Sequence, residues 1–266
     1  MKDFFIIFVT FVSRFSYYPK RLYMKKSLLL FFALIFCLLS VSAQKTILND
    51  PDAAARSVSG FHAVKVSNAF DVYLTQGNED GLAVSASKPE YREKIKTVVE
   101  NGILKVSFED GKKIWKGWKG DRLKLRVYIS FKKLDQLNAS GACNIHFLTP
   151  VKGDELTIDL SGATDMKNAE IRANKLNIEI SGASDMNIVG SANQLKVQAS
   201  GASDFKSLDF EADYCDADAS GASSILITVN KEISAKASGA SDVRYKGNGV
   251  IRDIKTSGAS KVSRKS

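Results

Sequence analysis

The amino-acid sequence predicts an all-β protein built as a single-stranded parallel β-helix, a solenoid with about 20 residues per coil. The tripeptide Ser-Gly-Ala occurs seven times, with its serines 21, 20, 19, 20, 18 and 19 residues apart. A fixed period of this length is typical of a solenoid. Apolar and polar residues alternate before the copies, as from Leu176 to Ile180, and this pattern indicates a strand with one buried face. No stretch long enough for a helix separates the copies. Since parallel crossovers are right-handed as a rule, we expect a right-handed coil.

Residues 1–43 carry the pattern of an export signal. Two lysines follow Met24, an apolar run extends from Leu28 to Leu39, and a small-x-small sequence ends at Ala43. We therefore expect translation to start at Met24 and cleavage to follow Ala43, with residues 1–23 as an upstream extension. The apolar run is shorter than the ~20 residues of a membrane span, so we expect no span in the mature chain.

The basic charge of the full chain comes mostly from this signal. The whole sequence has a net charge of +9, whereas residues 44–266 hold 32 basic and 28 acidic residues, a net charge of +4. A nucleic-acid partner is therefore not expected. With three cysteines and two histidines in the chain, the composition predicts neither a disulfide scaffold nor a metal site built from cysteine or histidine, and no cofactor is expected.

The mature chain divides into an exposed lead-in, residues 44–57, and one β-solenoid domain, residues 58–266, whose regular repeats cover 138–262. The domain begins with a β-rich region that resembles a degenerate repeat, in which Asn68 takes the place of the motif glycine because asparagine tolerates left-handed backbone angles. One short helix is predicted from Pro89 to Glu100. Strongly alternating strands are predicted at 103–108 and 123–129.

A segment rich in tryptophan and lysine, residues 111–120, lies between those two strands. We consider Lys113, Trp115, Lys116 and Trp118 candidate binding residues, because flat aromatic rings stack on sugars and lysines pair with uronates or sulfates. The alternative is a long hairpin whose tryptophans pack back onto the solenoid, as large aromatic side chains usually do.

The Ser-Gly-Ala motif is predicted to form the sharp bend between two sheets. Glycine supplies backbone angles that other residues avoid, alanine is expected to fill a narrow corner, and the serine hydroxyls are expected to bond to local backbone groups. Because coils stack ~4.8 Å apart, each position forms a column of like residues. The predicted turn glycines are Gly141, Gly162, Gly182, Gly201, Gly221, Gly239 and Gly258.

A column of acidic residues is predicted two positions after the motif alanine. Its members are Asn144, Asp165, Asp185, Asp204, Ser224, Asp242 and Lys261. Stacked carboxylates repel one another, so an ion or a donor between them would explain the column, and the four aspartates are candidate calcium or glycan ligands. The alternative is a row of solvated turn residues, which the absence of the glycine-aspartate nonapeptide of calcium-loaded β-rolls favours.

The two cysteines of the mature chain are expected to stay unpaired. Four coils separate Cys143 from Cys215, or ~19 Å at the spacing of stacked strands, whereas a disulfide needs Cα atoms within ~7 Å. We therefore predict two small, buried thiols.

The motifs also resemble a known family. The repeated Ser-Gly-Ala-Ser-Asp and the sequence Ser-Asn-Ala-Phe-Asp-Val-Tyr-Leu-Thr-Gln-Gly at residues 67–77 are similar to the head-GIN-domain family, auto-transporter adhesins of Bacteroides-type bacteria. The resemblance covers about residues 58–262. It implies a single-stranded β-helix and an exported location, in the periplasm, at the outer-membrane surface or outside the cell, and it supplies no catalytic residues.

Three functions are compatible with these observations. The first is a non-enzymatic binding or adhesion module of the cell envelope, whose partner is a polysaccharide, another extended polymer or a surface protein. The second is a polysaccharide lyase or hydrolase, in which neighbouring coils bring Asp185 and Asp204 together. The third is a structural or sensing component that assembles end to end through its open sheet edges. We expect the first, and no enzymatic activity.

Overall fold

The computed structural model describes residues 50–109 and 123–265. The predicted export signal and upstream extension, the first part of the lead-in, and the candidate residues Lys113, Trp115, Lys116 and Trp118 lie outside the described residues. The described chain contains seventeen strands and one helix, which confirms the all-β prediction. In chain order the elements are β1 (Ala54–Arg56), β2 (Ala63–Asn68), β3 (Asp71–Gln76), β4 (Gly81–Ala86), α1 (Pro89–Glu93), β5 (Ile95–Glu100), β6 (Ile103–Phe108), β7 (Leu125–Phe131), β8 (Gln136–Gly141), β9 (Asn144–Phe147), β10 (Val151–Gly162), β11 (Asp165–Ile180), β12 (Asp185–Ala199), β13 (Asp204–Ala219), β14 (Ser224–Ala237), β15 (Asp242–Lys246), β16 (Val250–Thr256) and β17 (Lys261–Arg264).

Successive coils stack in parallel and in register, as the repeat predicts. We call each coil a rung. The strand residues that precede the motif form a first face, for example Leu176 beside Leu195, and the residues that follow it form a second face, for example Asp165 beside Asp185. A third face joins the other two, where Ile171 pairs with Gly190. The alternating apolar residues point inward and form one continuous core along the rungs.

The motif glycines are required by two features of the corner between the first and second faces. Their φ angles lie between 74° and 101°, a region that residues with a side chain rarely adopt. A Cβ atom on Gly182 would also lie 2.4 Å from the carbonyl oxygen of Gly162 on the rung below. That oxygen accepts a hydrogen bond of 2.7 Å from the backbone N–H of Ala183, so the corner cannot open without losing this bond.

The other two motif residues behave differently from the expectation. The motif alanines, such as Ala183, are exposed rather than enclosed in a narrow corner. The hydroxyl that bonds to the backbone comes from the residue after the alanine, which is buried: Ser184 Oγ donates to the carbonyl oxygen of Ser181 at 2.9 Å. This hydroxyl column comprises Thr164, Ser184, Ser203, Ser223, Ser241 and Ser260. Cys143 holds the same position on an earlier rung, with its Sγ 3.6 Å from the carbonyl oxygen of Ser140.

The N-terminal rungs stack out of chain order. Strands β2 and β3 lie between β6 and β7 on one side and β8 and β9 on the other, with parallel pairing throughout. Asn68 pairs with Gly141 and has a φ of 87°, which confirms its predicted place at the bend. Its Oδ1 atom accepts a hydrogen bond of 2.9 Å from the backbone N–H of Phe108, so the asparagine also ties β6 to the corner.

Antiparallel strands cover the N-terminal end of the solenoid. Strand β4 pairs with β7, β1 pairs with β4, and β5 pairs with β6. The predicted helix Pro89–Glu100 is wrong in its second half, because the helix ends at Glu93 and residues 95–100 form β5. The β-branched residues Ile95, Thr97 and Val99 alternate along that strand, and the Asn101-Gly102 pair with positive φ closes a hairpin to β6.

Cys143 and Cys215 are both unpaired and buried, as predicted. Burial raises the pKa of the Cys143 thiol above its ordinary value. Burial, with a smaller effect of the Asp216 charge, raises the pKa of the Cys215 thiol to about 12.

We expect iodoacetamide at pH 8 to leave both thiols of the folded protein unmodified, because the thiolate is the reactive form. At a pKa of about 12 the thiolate fraction of Cys215 at pH 8 is only about one in ten thousand. Intact-mass measurement should show no alkylation of the folded protein covering residues 44–266 and two alkylations in guanidinium. Rapid single alkylation of the folded protein would contradict the burial of one thiol.

Candidate functional site

The acidic column predicted from the repeat lies on the outward side of the second face. Asp165 pairs with Asp185 and Asp185 with Asp204 on successive rungs, so the structure brings the column together. Basic side chains two residues further along the strand pair with the carboxylates. Lys167 Nζ lies 3.0 Å from Asp165 Oδ2, and the other two pairs are Lys206 with Asp204 and Arg244 with Asp242. Three of the four aspartates thus have a cation beside them, which reduces the negative potential of the column, whereas Asp185 is followed by Asn187 at that position.

A groove lies on the outward side of the first face. It consists of two adjoining concavities of about 460 and 370 Å³ that share Lys196, Asp216 and Arg252. We call the two together the polar groove. It crosses the rungs of β11, β12, β13, β14 and β16, and its outward side chains are Lys175, Asn177, Gln194, Lys196, Gln198, Tyr214, Asp216, Asp218, Glu232, Ser234, Lys236, Arg252, Asp253 and Lys255.

The register of the strands explains why these side chains lie together. In period-two strands every second residue points outward. Tyr214 pairs with Gln194 on the rung below and with Glu232 on the rung above, and Asp216 pairs with Lys196 and Ser234 in the same way. Each outward position of one repeat is thus placed about 4.8 Å from its equivalent in the next, and the groove runs along the solenoid axis.

Charge in the polar groove is nearly balanced. Five basic and four acidic side chains line it, and some of them pair with each other: Arg252 Nη1 lies 3.3 Å from Glu232 Oε1, and Lys255 Nζ lies 3.0 Å from Asp253 Oδ2. The remaining lining residues are amides, a serine and a tyrosine. Such a surface offers many hydrogen-bond donors and acceptors without a strong field of either sign.

Tyr214 supplies an aromatic surface in the groove. Its side chain is 44% exposed, and the Nζ atom of Lys231 lies 5.5 Å from the ring centroid. The hydrogen bond and the charge of Asp213 raise the pKa of Lys231, so this lysine stays positively charged beside the ring. An exposed ring held in this way is a natural contact for a flat apolar surface of a ligand.

Two carboxyl groups lie together further along the first face. Asp159 pairs with Glu179 on the next rung, and burial and the charge of Glu179 raise the pKa of Asp159. Neither residue lines the polar groove. The carboxylate pair considered from the sequence, Asp185 and Asp204, lies on the second face, and Lys206 pairs with Asp204.

A second polar cluster anchors the lead-in to the N-terminal end. Burial raises the pKa of Asp50, but hydrogen bonds, above all from Tyr128, outweigh this effect and lower it overall. The hydroxyl of Tyr128 donates to Asp50 Oδ2 at 2.6 Å, and Arg126 donates to the same oxygen at 3.1 Å. The Tyr128 ring stacks on Tyr73, which stacks on His146. These contacts join the lead-in to three successive rungs and give the cluster a structural role.

Sequence reasoning missed the polar groove because it searched for columns of identical residues. The groove occupies the outward positions two, four and six residues before each motif serine, such as Asp218, Asp216 and Tyr214 before Ser220. These positions vary from coil to coil, and the signal that could have revealed them is this variation within an otherwise strict repeat. Of the residues predicted as binding residues, the structure places none of the four aspartates in the groove.

These features define the class of protein: a parallel β-solenoid whose outward faces carry polar side chains. Among residues 50–109 and 123–265, no group of three or more His, Cys, Asp or Glu side chains could hold a metal ion. Within the same ranges no helix has both the length and the apolar character that a membrane crossing requires.

The chain belongs to the family described as "Putative auto-transporter adhesin, head GIN domain", whose model matches residues 60–249. No curated protein matches it. Among solved structures, a "putative adhesin" from Bacteroides fragilis NCTC 9343 has a TM-score of 0.70 at 19% identity, covering 80% of this chain and 96% of that one. A second "putative adhesin", from Parabacteroides distasonis ATCC 8503, has a TM-score of 0.62 at 19% identity, covering 80% and 96%. A "putative lipid binding protein" from the same organism has a TM-score of 0.61 at 17% identity, covering 82% and 98%. These similarities show the shared fold.

Proposed function

We propose that this protein is an exported, non-enzymatic adhesion module that holds an uncharged polysaccharide along the polar groove. The observation that carries the proposal is the groove itself, a continuous polar channel parallel to the solenoid axis with Tyr214 exposed within it. Membership of a family described as adhesins supports the adhesive role. The basic, apolar and small-residue pattern of residues 24–43 supports export.

The shape of the groove suits an extended polymer. It crosses five rungs, and at ~4.8 Å per rung its length is about 19 Å, enough to contact several consecutive sugar rings. Repeating hydroxyl groups on a sugar chain would meet the alternating amide, hydroxyl and charged side chains, and the ring of Tyr214 would pack against one apolar sugar face.

The balance of charge indicates which polysaccharide fits. A polymer that carries uronates or sulfates would be attracted by the lysines of the groove. Its negative charges would be repelled by four carboxylates, those of Asp216, Asp218, Glu232 and Asp253. An uncharged polymer meets no such opposition, and both signs of charge serve it as hydrogen-bond partners. We therefore expect uncharged polysaccharides to bind more tightly than acidic ones. This preference differs from the uronate or sulfate ligands considered for the lysines near Trp115.

Tyr214→Ala is expected to weaken polysaccharide binding about tenfold, since aromatic packing of this kind is worth about 1 kcal/mol or somewhat more. The purified chain covering residues 44–266 would be screened against uncharged and acidic polysaccharides, and the strongest ligand titrated by calorimetry. Tyr91→Ala is the matched control, because a lysine also lies over the ring of Tyr91, 5.8 Å from its centroid, outside the groove. Thermal melts of both variants would verify folding.

Three results would change the proposal. Equal affinity in the Tyr214 variant and the wild type would remove the polar groove as the site. Loss of binding only in the Trp115→Ala/Trp118→Ala double variant would assign the ligand to the tryptophan segment, and loss only in Asp185→Asn would assign it to the acidic column. New reducing ends in the same incubations would show that the protein is a hydrolase, and unsaturated uronates would show that it is a lyase. Either product would contradict the non-enzymatic role.

A further inference from the structure

The C-terminal rung exposes residues that the repeat places in the core. Ile251 pairs with Ile233 and Ile254 pairs with Ala235, two residues that are 1% and 2% exposed. Ile251 and Ile254 are nevertheless 52% and 38% exposed, and the neighbouring Val250 is 70% exposed. Among the described residues no further rung covers β16 and β17, so the end of the solenoid is an apolar surface open to solvent.

Positive charge is concentrated around this apolar end. Residues 243–265 hold seven basic residues and one acidic residue, a net charge of +6, whereas residues 153–242 hold seven basic and fifteen acidic residues, a net charge of −8. The seven basic residues are Arg244, Lys246, Arg252, Lys255, Lys261, Arg264 and Lys265. The last strands therefore carry an excess of cations, of which Arg244, Arg252 and Lys255 pair with acidic side chains. The central rungs carry the opposite net charge.

A second copy of the chain is a poor partner for this end. Residues 50–109 and 123–152 hold twelve basic and ten acidic residues, a net charge of +2. The N-terminal rungs therefore offer no net negative charge to the C-terminal rung of another copy, and two C-terminal rungs stacked on each other bring like charges together. The register of β16 against β14 is also interrupted after Ile251, and such a bulge discourages regular pairing of an edge strand. The acidic central rungs of a second copy would attract the cations of this end. Their outward faces are polar, however, so they provide no apolar surface for the three exposed apolar residues.

We propose that the C-terminal rung docks on an anionic phospholipid surface. Val250, Ile251 and Ile254 enter the boundary between headgroups and acyl chains, and the surrounding lysines and arginines lie against the lipid phosphates. A lipid surface combines an apolar interior with negative charge, which is the complement of this end of the protein. The acidic central rungs then point away from the membrane, and the polar groove extends away from it, with its β16 end at Arg252 and Lys255 nearest the lipid.

Vesicle sedimentation tests the proposal with the chain covering residues 44–266. We expect it to sediment with vesicles that contain phosphatidylglycerol and to stay in solution with pure phosphatidylcholine, and high salt should weaken the binding. The variant Lys255→Gln/Lys261→Gln/Lys265→Gln should bind phosphatidylglycerol vesicles about a hundredfold more weakly, since each basic residue near an anionic surface contributes about 1 kcal/mol. A control that removes three exposed lysines elsewhere is Lys96→Gln/Lys133→Gln/Lys152→Gln, which should bind like the wild type.

A second variant tests the apolar contribution. Val250→Ser/Ile251→Ser should lower vesicle binding about tenfold while its thermal midpoint stays close to that of the wild type, because both side chains are more than half exposed. Absence of binding to anionic vesicles, or equal losses in the C-terminal and control lysine variants, would overturn the proposal. Sedimentation velocity that shows a wild-type dimer, lost in either C-terminal variant, would overturn it in favour of self-association.

Discussion

Replacing Gly182 with valine is expected to lower the free energy of unfolding by about 4 kcal/mol, and the midpoint of thermal unfolding by about 8–16 °C. The left-handed φ of 79° costs a residue with a side chain about 1–2 kcal/mol. The new Cβ atom would also lie 2.4 Å from the carbonyl oxygen of Gly162. Moving that carbonyl weakens the hydrogen bond from Ala183 on which the stacking of these two corners depends.

Two further glycine variants test whether the loss of stability comes from the position of Gly182 in the column of motif glycines. Gly153→Ala is the control, because Gly153 has no atom within 4 Å of the Cβ position and no positive φ, and its midpoint should change by less than about 2 °C. Gly258→Ala should be milder than Gly182→Ala, since its Cβ atom would lie 2.8 Å from the Gly239 oxygen. Calorimetry measures all of these midpoints. A Gly182 variant as stable as the control would contradict the role of the corner.

Truncation of Phe205 to alanine is expected to destabilise the protein by about 3–5 kcal/mol, because it removes a large side chain from a closely packed core. Phe205 is 0% exposed and lies between Met186 and Ile225 on the neighbouring rungs. Each rung rests on the next, so the neighbours cannot collapse into the cavity without breaking the register of the sheet. Chemical denaturation should show a lower midpoint with an unchanged slope, since the folded state stays compact.

Phe205→Leu is the companion variant. Leucine keeps most of the apolar volume, so we expect a loss of about 1 kcal/mol, well below that of alanine. If both substitutions cost the same, the site depends on the shape of the aromatic ring rather than on filled volume. If neither substitution changes the midpoint, the result would contradict the placement of the Phe205 side chain in the core.

The repeat made most of the fold predictable. Seven copies of one motif define the rungs, and period-two alternation defines the inward side of each strand, so the glycine column, the bend at Asn68 and the unpaired Cys143 and Cys215 all follow from the pattern. The helix Pro89–Glu100 was predicted too long, because charged residues concealed the alternation of β-branched residues that forms β5.

Other features have no local signature. Strand β2 pairs with β6 and β8 rather than with its sequence neighbours alone, and this order depends on contacts between residues far apart in the chain. The polar groove also cannot be read from the local sequence, because its residues come from separate coils and lie side by side only when the coils stack. The serine after the motif alanine, such as Ser184, points its hydroxyl inward, whereas the motif serine, such as Ser181, is only partly buried. The spacing of the repeat does not indicate which of the two serines points inward.

The interleaved N-terminal rungs have a consequence for how the chain reaches its native state. Val64 contacts strands at Leu104 and Leu137, so the strand pair β2–β3 lacks one neighbour on each face until residue 147 has been synthesised. Such long sequence separations slow folding. Nucleation at the first coil must therefore wait for about a hundred residues, whereas the later coils can add one at a time, each on a finished template. If the chain is exported as proposed, this delay keeps the first coil from becoming compact before the chain has passed through the membrane pore.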